Sequence, residues 1–297
     1  MCTPASMIVT KAKVFWSEKT DSHHEIISEF GIMETDARGD INIVPVEIYP
    51  EDGNLNTPIG KWKFTIDHAG YERDLPTWWD GEKYEKEVRA AVKDWKKQKV
   101  ITRKRKEIKD GQFYLCDVAD VQVAKNCELV INNSNVTALD NSNVTAFGNS
   151  TVKAFGNSTV KAFGNSNVMA LDNSTVKAFG DSTVTAQDNS TVKAFGNSTV
   201  TAQDNSTVKA FGNSNVTAWD NSTVTAQDNS TVTALDNSNV TAFGNSNVTA
   251  WDNGTVLEIN HSATVIAYKT LDLKCLKSSK AVIIDRSGDK VVCRIGK

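Results

Sequence analysis

The chain has 297 residues, with 33 Lys and Arg against 36 Asp and Glu, and its formal net charge is −3 at pH 7. This balance argues against a globally basic nucleic-acid-binding protein, and no apolar run approaches the roughly 20 residues that a membrane span needs. The first nine residues lack the order of a signal peptide, and five cysteines without a CxxC motif do not make a disulfide scaffold, so we expect a cytoplasmic protein.

Residues 1–110 hold five of the seven tryptophans and no repeat, and they predict a small α+β domain. Alternating apolar residues predict strands over 7–16, 41–49 and 61–66. Ser22 followed by Glu25 has the form of a capping box and predicts the start of a short helix. Apolar residues at helical spacing predict a second helix over 82–97, with Trp95 in its core.

A basic run follows, in which nine Lys and Arg between Lys93 and Lys109 are opposed only by Asp94 and Glu107. One interpretation is a surface for nucleic-acid phosphates, although we expect nucleic acid to be the less favoured partner. The alternative is a solvated helix end and linker, because cations are favourable at a helix C-terminus. The candidate phosphate contacts are Lys97, Lys99, Arg103, Lys104, Arg105 and Lys106.

From Asn133 to Asp252 the chain is fifteen consecutive octads with the consensus Asn-Ser-(Thr/Asn)-Val-(Thr/Lys)-Ala-x-(Asp/Gly). A fixed short period is typical of a solenoid. Positions two, four and six alternate with three, five and seven as in a strand, and the Asp-Asn or Gly-Asn pair is turn-forming. The lysines at position five are too costly to bury, so we predict that Ser, Val and Ala face a thin interior.

Alternate octads differ at their last two positions, which predicts a coil of sixteen residues containing two strands and two turns. One set carries mostly Phe-Gly and the other mostly Asp after Leu, Gln or Trp. The fold class is therefore mainly β, a narrow two-sided β-solenoid preceded by the small α+β domain. We place the solenoid at 117–268, with roughly nine coils, and a capping C-terminal hairpin within 269–297.

The solenoid surface supplies the candidate binding residues. In one strand set, a basic ladder is expected to stand in register beside aromatic residues; the ladder residues are Lys161, Lys177, Lys193 and Lys209. A continuous apolar stripe commonly marks a protein contact, so we expect the aromatic positions to form a dimer or partner interface; these are Phe147, Phe163, Phe179, Phe195, Phe211 and Phe243. The alternative is that the rings only stack on one another and on lysine stems.

A row of Asp at one edge has two interpretations: mimicry of phosphates, or ordinary turn chemistry, which we favour. No phosphate loop, nucleophile elbow or metal-ligand run is present, so we expect no enzyme activity, no cofactor and no metal site. His23 and His24 are adjacent on a helix and do not share a face. His68 lies in an acidic loop. Cys116 and Cys127 are expected to be packed core thiols rather than a reactive pair, and their spacing in the entry coils allows them to stack on each other.

The octad pairs, with outward Thr-x-Thr, inward small residues and an aromatic ladder, resemble the repeat region of bacterial ice-nucleation proteins. This resemblance covers about 117–268 and implies a β-solenoid and ice binding. The Trp-rich flank together with octads looks like uncharacterised bacterial and phage proteins. Recurrent Asn-Ser-Thr sequons support a bacterial cell or a phage-infected host as the setting.

From these features we expect a non-enzymatic interaction or assembly protein. Its rigid solenoid is expected to mediate self-association, such as a homodimer, or binding to another protein, and to display the N-terminal domain. Two alternatives stay open: a phage-type inhibitor that mimics the shape or charge of a host enzyme's or defence complex's partner, and ice binding.

Overall fold

The structure, a computed structural model, describes residues 6–17, 20–35, 40–67, 75–117, 119–251, 254–260, 262–268, 281–286 and 292–295. The chain divides into two compact units, Met1–Val100 and Ile101–Lys297. No cis peptide bond occurs in the described part of the chain.

The N-terminal unit contains a four-stranded antiparallel sheet with the order β2-β1-β3-β4. Its strands are β1 (Ser6–Thr10), β2 (Val14–Phe15), β3 (Ile43–Tyr49) and β4 (Lys63–Ile66), and a short 3-10 helix at Ile59–Lys61 precedes β4. The prediction of one strand over 7–16 is wrong. The Thr10 hydroxyl accepts hydrogen bonds from the backbone N–H groups of Ala12 and Lys13, which closes a turn and makes a hairpin.

Both predicted helices are confirmed, as α1 (His23–Phe30) and α2 (Gly81–Lys99). The Ser22 side chain accepts the N–H of Glu25, as expected for an N-cap. Gly31 ends α1 in the left-handed conformation, with φ of 58°. Helix α2 buries four apolar side chains spaced three or four residues apart, which are Tyr84, Val88, Val92 and Trp95.

The second unit is built almost entirely of strands. The two longest come first, β6 (Arg105–Cys116) and β7 (Asp120–Asn132), after the two-residue β5 (Val100–Ile101). The octads then supply β8 (Asn135–Leu139), β9 (Asn143–Phe147), β10 (Thr151–Ala154), β11 (Thr159–Ala162), β12 (Asn167–Ala170), β13 (Thr175–Ala178), β14 (Thr183–Ala186), β15 (Thr191–Ala194), β16 (Thr199–Ala202), β17 (Thr207–Ala210), β18 (Asn215–Ala218), β19 (Thr223–Ala226), β20 (Thr231–Ala234), β21 (Asn239–Ala242) and β22 (Asn247–Ala250). The chain continues with β23 (Thr255–Ile259), β24 (Thr264–Ala267), β25 (Val282–Asp285) and β26 (Val292–Ile295).

Each octad strand pairs in parallel with the strand two octads away and not with its neighbour in sequence. Thus β11 pairs with β9 and β13, and Val160 lies opposite Val144 and Val176. The coil therefore has sixteen residues, as predicted, and two parallel sheets result. The first sheet contains the even-numbered strands β8 to β24, and the second contains the odd-numbered strands β9 to β23.

The interior between the sheets is lined by Ser, Val and Ala, as the sequence predicts. From Val136 to Val248 every repeat valine is at most 4% exposed, and the repeat alanines and serines are buried as completely. Full burial of a valine side chain contributes about 1.5–3 kcal/mol. The octad is thus a strand with three small inward residues, stacked on identical residues of the next coil.

Position eight of the octad turns the chain at each edge. From Asp140 to Gly244 these residues have φ between +51° and +69°, the left-handed region. Glycine enters this region without steric cost and Asp or Asn tolerates it, which explains the restriction of position eight to Asp and Gly. The serine two residues after position eight points inward. In most octads its hydroxyl donates to the carbonyl three residues earlier, as in Ser150 to Phe147.

The solenoid extends beyond the repeat at both ends and has about 11 coils, so the predicted number of coils was too low. Strand β6 lies upstream of residue 117, where we predicted the first coil, and β6 and β7 pair in parallel along almost their whole length. A one-residue slip separates Val256 from Glu258 in β23. Strand β25 adds to β24 in parallel and pairs with β26 in antiparallel register. Residues 287–291, where the turn of the predicted C-terminal hairpin falls, lie outside the described residues.

Candidate interaction face

Five phenylalanines of the second sheet form an uninterrupted stack, here called the Phe column. Consecutive ring centroids are 4.8–5.1 Å apart, and consecutive ring planes are within 11° of parallel. All five side chains are half-buried, because each ring covers the faces of the next and leaves only edges outward. The column contains Phe147, Phe163, Phe179, Phe195 and Phe211.

The sixth predicted aromatic residue, Phe243, lies two coils beyond Phe211, where the stack ends. Gln227 occupies position seven of the intervening coil, since β19 lies between β17 and β21. The predicted interface residues are therefore brought together as a block of five plus one separate ring.

Four lysines stand beside the Phe column and form the Lys column. Register pairs Lys161 with Lys177, Lys177 with Lys193, and Lys193 with Lys209. Lys177 is half-buried and the other three are exposed. Among the described residues, no ion pair involves any of the four, so like charges repeat at the coil spacing of about 4.8 Å without a local counter-charge.

The Phe column and the Lys column together form a surface that favours a negatively charged partner. Aromatic ring edges carry the positive part of the ring quadrupole, and the Phe column turns its edges outward next to the ammonium groups. Because the ring faces are already covered, the column offers little room for planar groups to stack between its rings. The face is therefore suited to an anionic, partly apolar surface.

The aspartates at one edge of the solenoid form a third ladder, the Asp column, whose chemistry the sequence analysis only partly anticipated. In each pair of adjacent coils, one oxygen of the later carboxylate accepts the N–H of position eight in the earlier coil, as in Asp188 Oδ2 to Asp172 N at 3.2 Å. These bonds account for the row by local structure, in agreement with the turn interpretation. The five consecutive exposed members are Asp172, Asp188, Asp204, Asp220 and Asp236.

Sequence reasoning gave little weight to the residues at position seven of the first sheet. Trp219 and Trp251 are each 39% exposed, and Trp251 stacks on Tyr268 with centroids 3.7 Å apart. In the two coils that precede Trp219, the same column holds Gln187 and Gln203, and Gln187 Nε2 donates to Gln203 Oε1 over 2.7 Å. The available signal was the mixture of Leu, Gln and Trp at this position, which indicated an outward column of varied chemistry.

Outward threonines cover the later part of the first sheet. Register places Thr183 on Thr199 and Thr185 on Thr201, and the same positions hold Thr or Asn through β22. Lys153 and Met169 interrupt the pattern in β10 and β12. The result is a hydroxyl-rich area over five strands.

The basic run is divided between the two units. Lys97 and Lys99 lie in the last turn of α2, where cations are favourable, whereas Arg105 and Lys106 begin β6. Lys104 forms an ion pair with Asp120, with N and O 3.4 Å apart. Arg103 is exposed, and the role of the six residues as phosphate contacts stays a prediction.

In the N-terminal unit, the His23 side chain has a structural role. His23 Nδ1 lies 3.0 Å from Asp67 Oδ2, and Nε2 lies 3.0 Å from the carbonyl of Val46, so both ring nitrogens contact protein atoms. Among the described residues no group of three or more His, Cys, Asp or Glu has the arrangement of a metal site. His68 lies outside the described residues.

A cleft of about 320 Å³ opens near the β1–β2 turn and the end of α1. Its lining is largely apolar, with Phe15, Phe30, Ile32 and Met33. Of the described residues that line it, Lys11 alone has a titratable side chain. Such a lining does not bring an acid and a base together, which general acid–base catalysis requires.

Cys116 and Cys127 are buried thiols, as expected, and they do not stack on each other. The register places Cys127 beside Gly111 and Cys116 beside Asn132, so the two lie in different parts of their coils. Burial raises the pKa of Cys127, whose thiol also donates to the Lys125 carbonyl.

Comparison with protein families, with curated proteins and with solved structures finds no match for the chain. The strand pairing establishes the fold as a parallel β-solenoid with sixteen-residue coils. The likeness to ice-nucleation repeats depends on the octad pattern alone. None of the described helices is both long enough and apolar enough to cross a membrane.

Proposed function

We propose that this protein is a non-enzymatic interaction and assembly protein, whose solenoid associates with a second copy or with another protein through the second sheet. The chain carries its N-terminal domain on the same polypeptide, so association of the solenoid brings copies of that domain together. The observation that carries the proposal is the Phe column, five stacked rings with outward edges beside four lysines that have no ion-pair partner among the described residues.

The distribution of residues at the outward positions of the repeat supports a role for this surface. Position five holds Thr in nine of fifteen octads, yet four of its five lysines fall on consecutive coils of one sheet. Every octad with Lys at position five also has Phe-Gly at positions seven and eight. Neither choice is needed by the interior, which is Ser, Val and Ala in every octad, so the combination concerns the outside of the protein.

The test replaces the central rings Phe163, Phe179 and Phe195 by Gln, the residue that the chain itself uses at position 227 of this column. We expect the wild type to elute as a dimer or larger species by light scattering, and the triple variant to shift to the monomer. The matched control places Gln at Phe155, Leu171 and Leu235 of the opposite column.

Because the opposite column already contains Gln187 and Gln203, the control variant should fold and should keep the association of the wild type. A wild type that is monomeric and binds no protein partner, or a triple Phe variant that associates as before, would contradict the proposal. Far-UV circular dichroism of both variants checks that the solenoid is retained.

A second candidate, ice binding, is favoured by the register of threonines on the first sheet. Thr183, Thr185, Thr199 and Thr201 form a repeating array with Thr or Asn in the strands that follow. We expect Thr201→Lys to abolish any effect on ice-crystal growth, and Thr225→Lys on the second sheet to leave it intact. Ice growth that is unchanged by millimolar wild-type protein would dispose of this candidate.

The inhibitor alternative, mimicry of a host partner's shape or charge, stays a prediction. The hydrogen bonds that the Asp column makes to the preceding coil give each carboxylate a structural role, which favours the turn interpretation of this row over phosphate mimicry.

A further inference from the structure

The solenoid carries two charged columns of opposite sign with the same axial repeat. The Lys column occupies the second sheet from β11 to β17, and the Asp column follows the first-sheet strands from β12 to β20. Among the described residues neither column has an ion-pair partner. Each therefore repeats one charge at every coil, about 4.8 Å apart.

A partner for either column must present charges at that spacing over several steps. One DNA strand carries a phosphate about every 3.4 Å along the helix axis, so its charges fall out of step with the lysines within three coils. A second copy of this chain has the required spacing by construction, since its columns are set by the same strand pairing.

Each charged column also has an apolar or aromatic neighbour. The Phe column lies two residues from the Lys column, and the Asp column follows the position-seven residues that include the exposed Trp219. Charge can therefore meet charge while ring edges meet apolar side chains. The Asp carboxylates use one oxygen, Oδ2, for the preceding coil, and Oδ1 takes no part in those bonds.

We propose that the Lys column of one copy binds the Asp column of a second copy, side by side and at the same level of the solenoid. This inference rests on the proposed function, because it names the partner and the surfaces of self-association. The interface joins two different patches of the same molecule, so it is heterologous and gives a ring or an open lateral array. The exposed ion pairs make it sensitive to salt.

The test uses two neutral variants whose new residues occur at equivalent positions of the chain. One changes Lys161, Lys177, Lys193 and Lys209 to Thr, the residue at positions 145 and 225 of the same column. The other changes all five members of the Asp column to Asn, which tolerates left-handed φ, as Asn126 and Asn133 do. Asn also keeps a side-chain oxygen for the N–H of the preceding coil.

Each variant alone lacks one half of every interface, so each should be monomeric by light scattering at concentrations where the wild type associates. Loss of four exposed ion pairs should weaken association on the order of 10- to 100-fold. An equimolar mixture restores one interface, because the Asp column of the Lys-to-Thr variant meets the Lys column of the Asp-to-Asn variant. We expect the mixture to form a one-to-one complex that does not grow further.

A mixture that stays monomeric overturns the inference. The inference is also overturned if both variants associate as strongly as the wild type and 1 M salt has no effect. That result would leave self-association through the Phe column intact. Failure of the proposed function has a different signature, a wild type that never associates with itself or with a protein. If the Asp-to-Asn variant fails to fold, the Lys-to-Thr variant and the salt titration of the wild type decide the matter.

Discussion

Two serines with the same local sequence provide a stringent test of the solenoid interior. Ser190 and Ser206 both follow Gln-Asp-Asn, both precede Thr-Val-Lys-Ala-Phe-Gly, and both are fully buried in adjacent coils. The Ser206 hydroxyl donates to the Gln203 carbonyl over 2.7 Å. The Ser190 hydroxyl has no hydrogen-bond partner.

We therefore predict opposite effects for the same substitution. Ser206→Ala removes a hydrogen bond and should lower the free energy of unfolding by about 1 kcal/mol. Ser190→Ala removes a buried hydroxyl that has lost its water without gaining a partner, and should raise the free energy of unfolding by about 1 kcal/mol. The two variants should thus differ by about 2 kcal/mol.

The assay is urea unfolding followed by far-UV circular dichroism, with amide hydrogen exchange to locate the affected coils. At a slope of about 2 kcal/mol per molar, the midpoints of the two variants should lie about 1 M apart. Each effect should be concentrated in the substituted coil and its neighbours, because solenoid coils contact mainly their nearest neighbours. Equal destabilisation by both substitutions would refute the assignment of hydrogen bonds in the interior.

Three further predictions concern the turns and a thiol. Gly196→Ala should destabilise by about 1–2 kcal/mol in urea unfolding, because φ is +69° and the added Cβ would lie 3.3 Å from the backbone N and O of Gly180; a neutral result would contradict the turn geometry. Asp188→Ala should lower the free energy of unfolding by about 1–2 kcal/mol, because Ala cannot accept the Asp172 N–H and tolerates left-handed φ poorly. Asp188→Asn should be near neutral, because Asn keeps both properties. Equal destabilisation by the two substitutions would argue against that hydrogen bond. Burial raises the pKa of Cys127, so its contribution to stability is complete below the thiol's ordinary pKa and is lost as the pH rises through the raised value in the folded state. In a variant with Cys127 as its single cysteine, alkylation near pH 8.5 should be much slower in the folded protein than in urea, and equal rates would exclude a buried thiol.

The octads explain why most of the solenoid could be predicted from the sequence. A lysine at position five cannot be buried cheaply, and Val and Ala at positions four and six can, so the orientation of the strand was determined by residue type. The difference between Phe-Gly and Asp octads then separated the two sheets. The identical Ser, Val and Ala of every octad set the alignment of stacked strands, because a shift by less than a whole octad would break their ladders.

The ends of the solenoid and its polar contacts were harder to predict. Strand β6 contains Lys, Glu, Asp and Gly in place of the octad residues, so its pairing with β7 leaves no periodic signal. Likewise, the bond from Asp188 to Asp172 joins residues sixteen apart, and it becomes visible only after the coil is known. The turn at residues 11–13 depends on the hydroxyl of one residue, Thr10, which apolar alternation does not register.

The Lys, Phe and Asp columns can be predicted from the length of the coil, but the partner that they bind cannot. Any sixteen-residue coil aligns Lys177 with Lys193 and Phe179 with Phe195. Whether those columns meet a second copy depends on the surface of that copy, and a single chain records this only through complementary charge and spacing.

The central claim, one coil for every sixteen residues, is tested most directly by distances between pairs of spin labels on the first sheet. Labels at positions 137 and 185 are separated by three coil steps, and labels at 137 and 249 by seven, all at position five of their octads. At about 4.8 Å a step, the backbone separations are about 14 Å and about 34 Å. A pulsed electron-spin measurement that gives this increment confirms the coil. A separation near 22 Å for the longer pair, as expected for about three octads per coil, would contradict it.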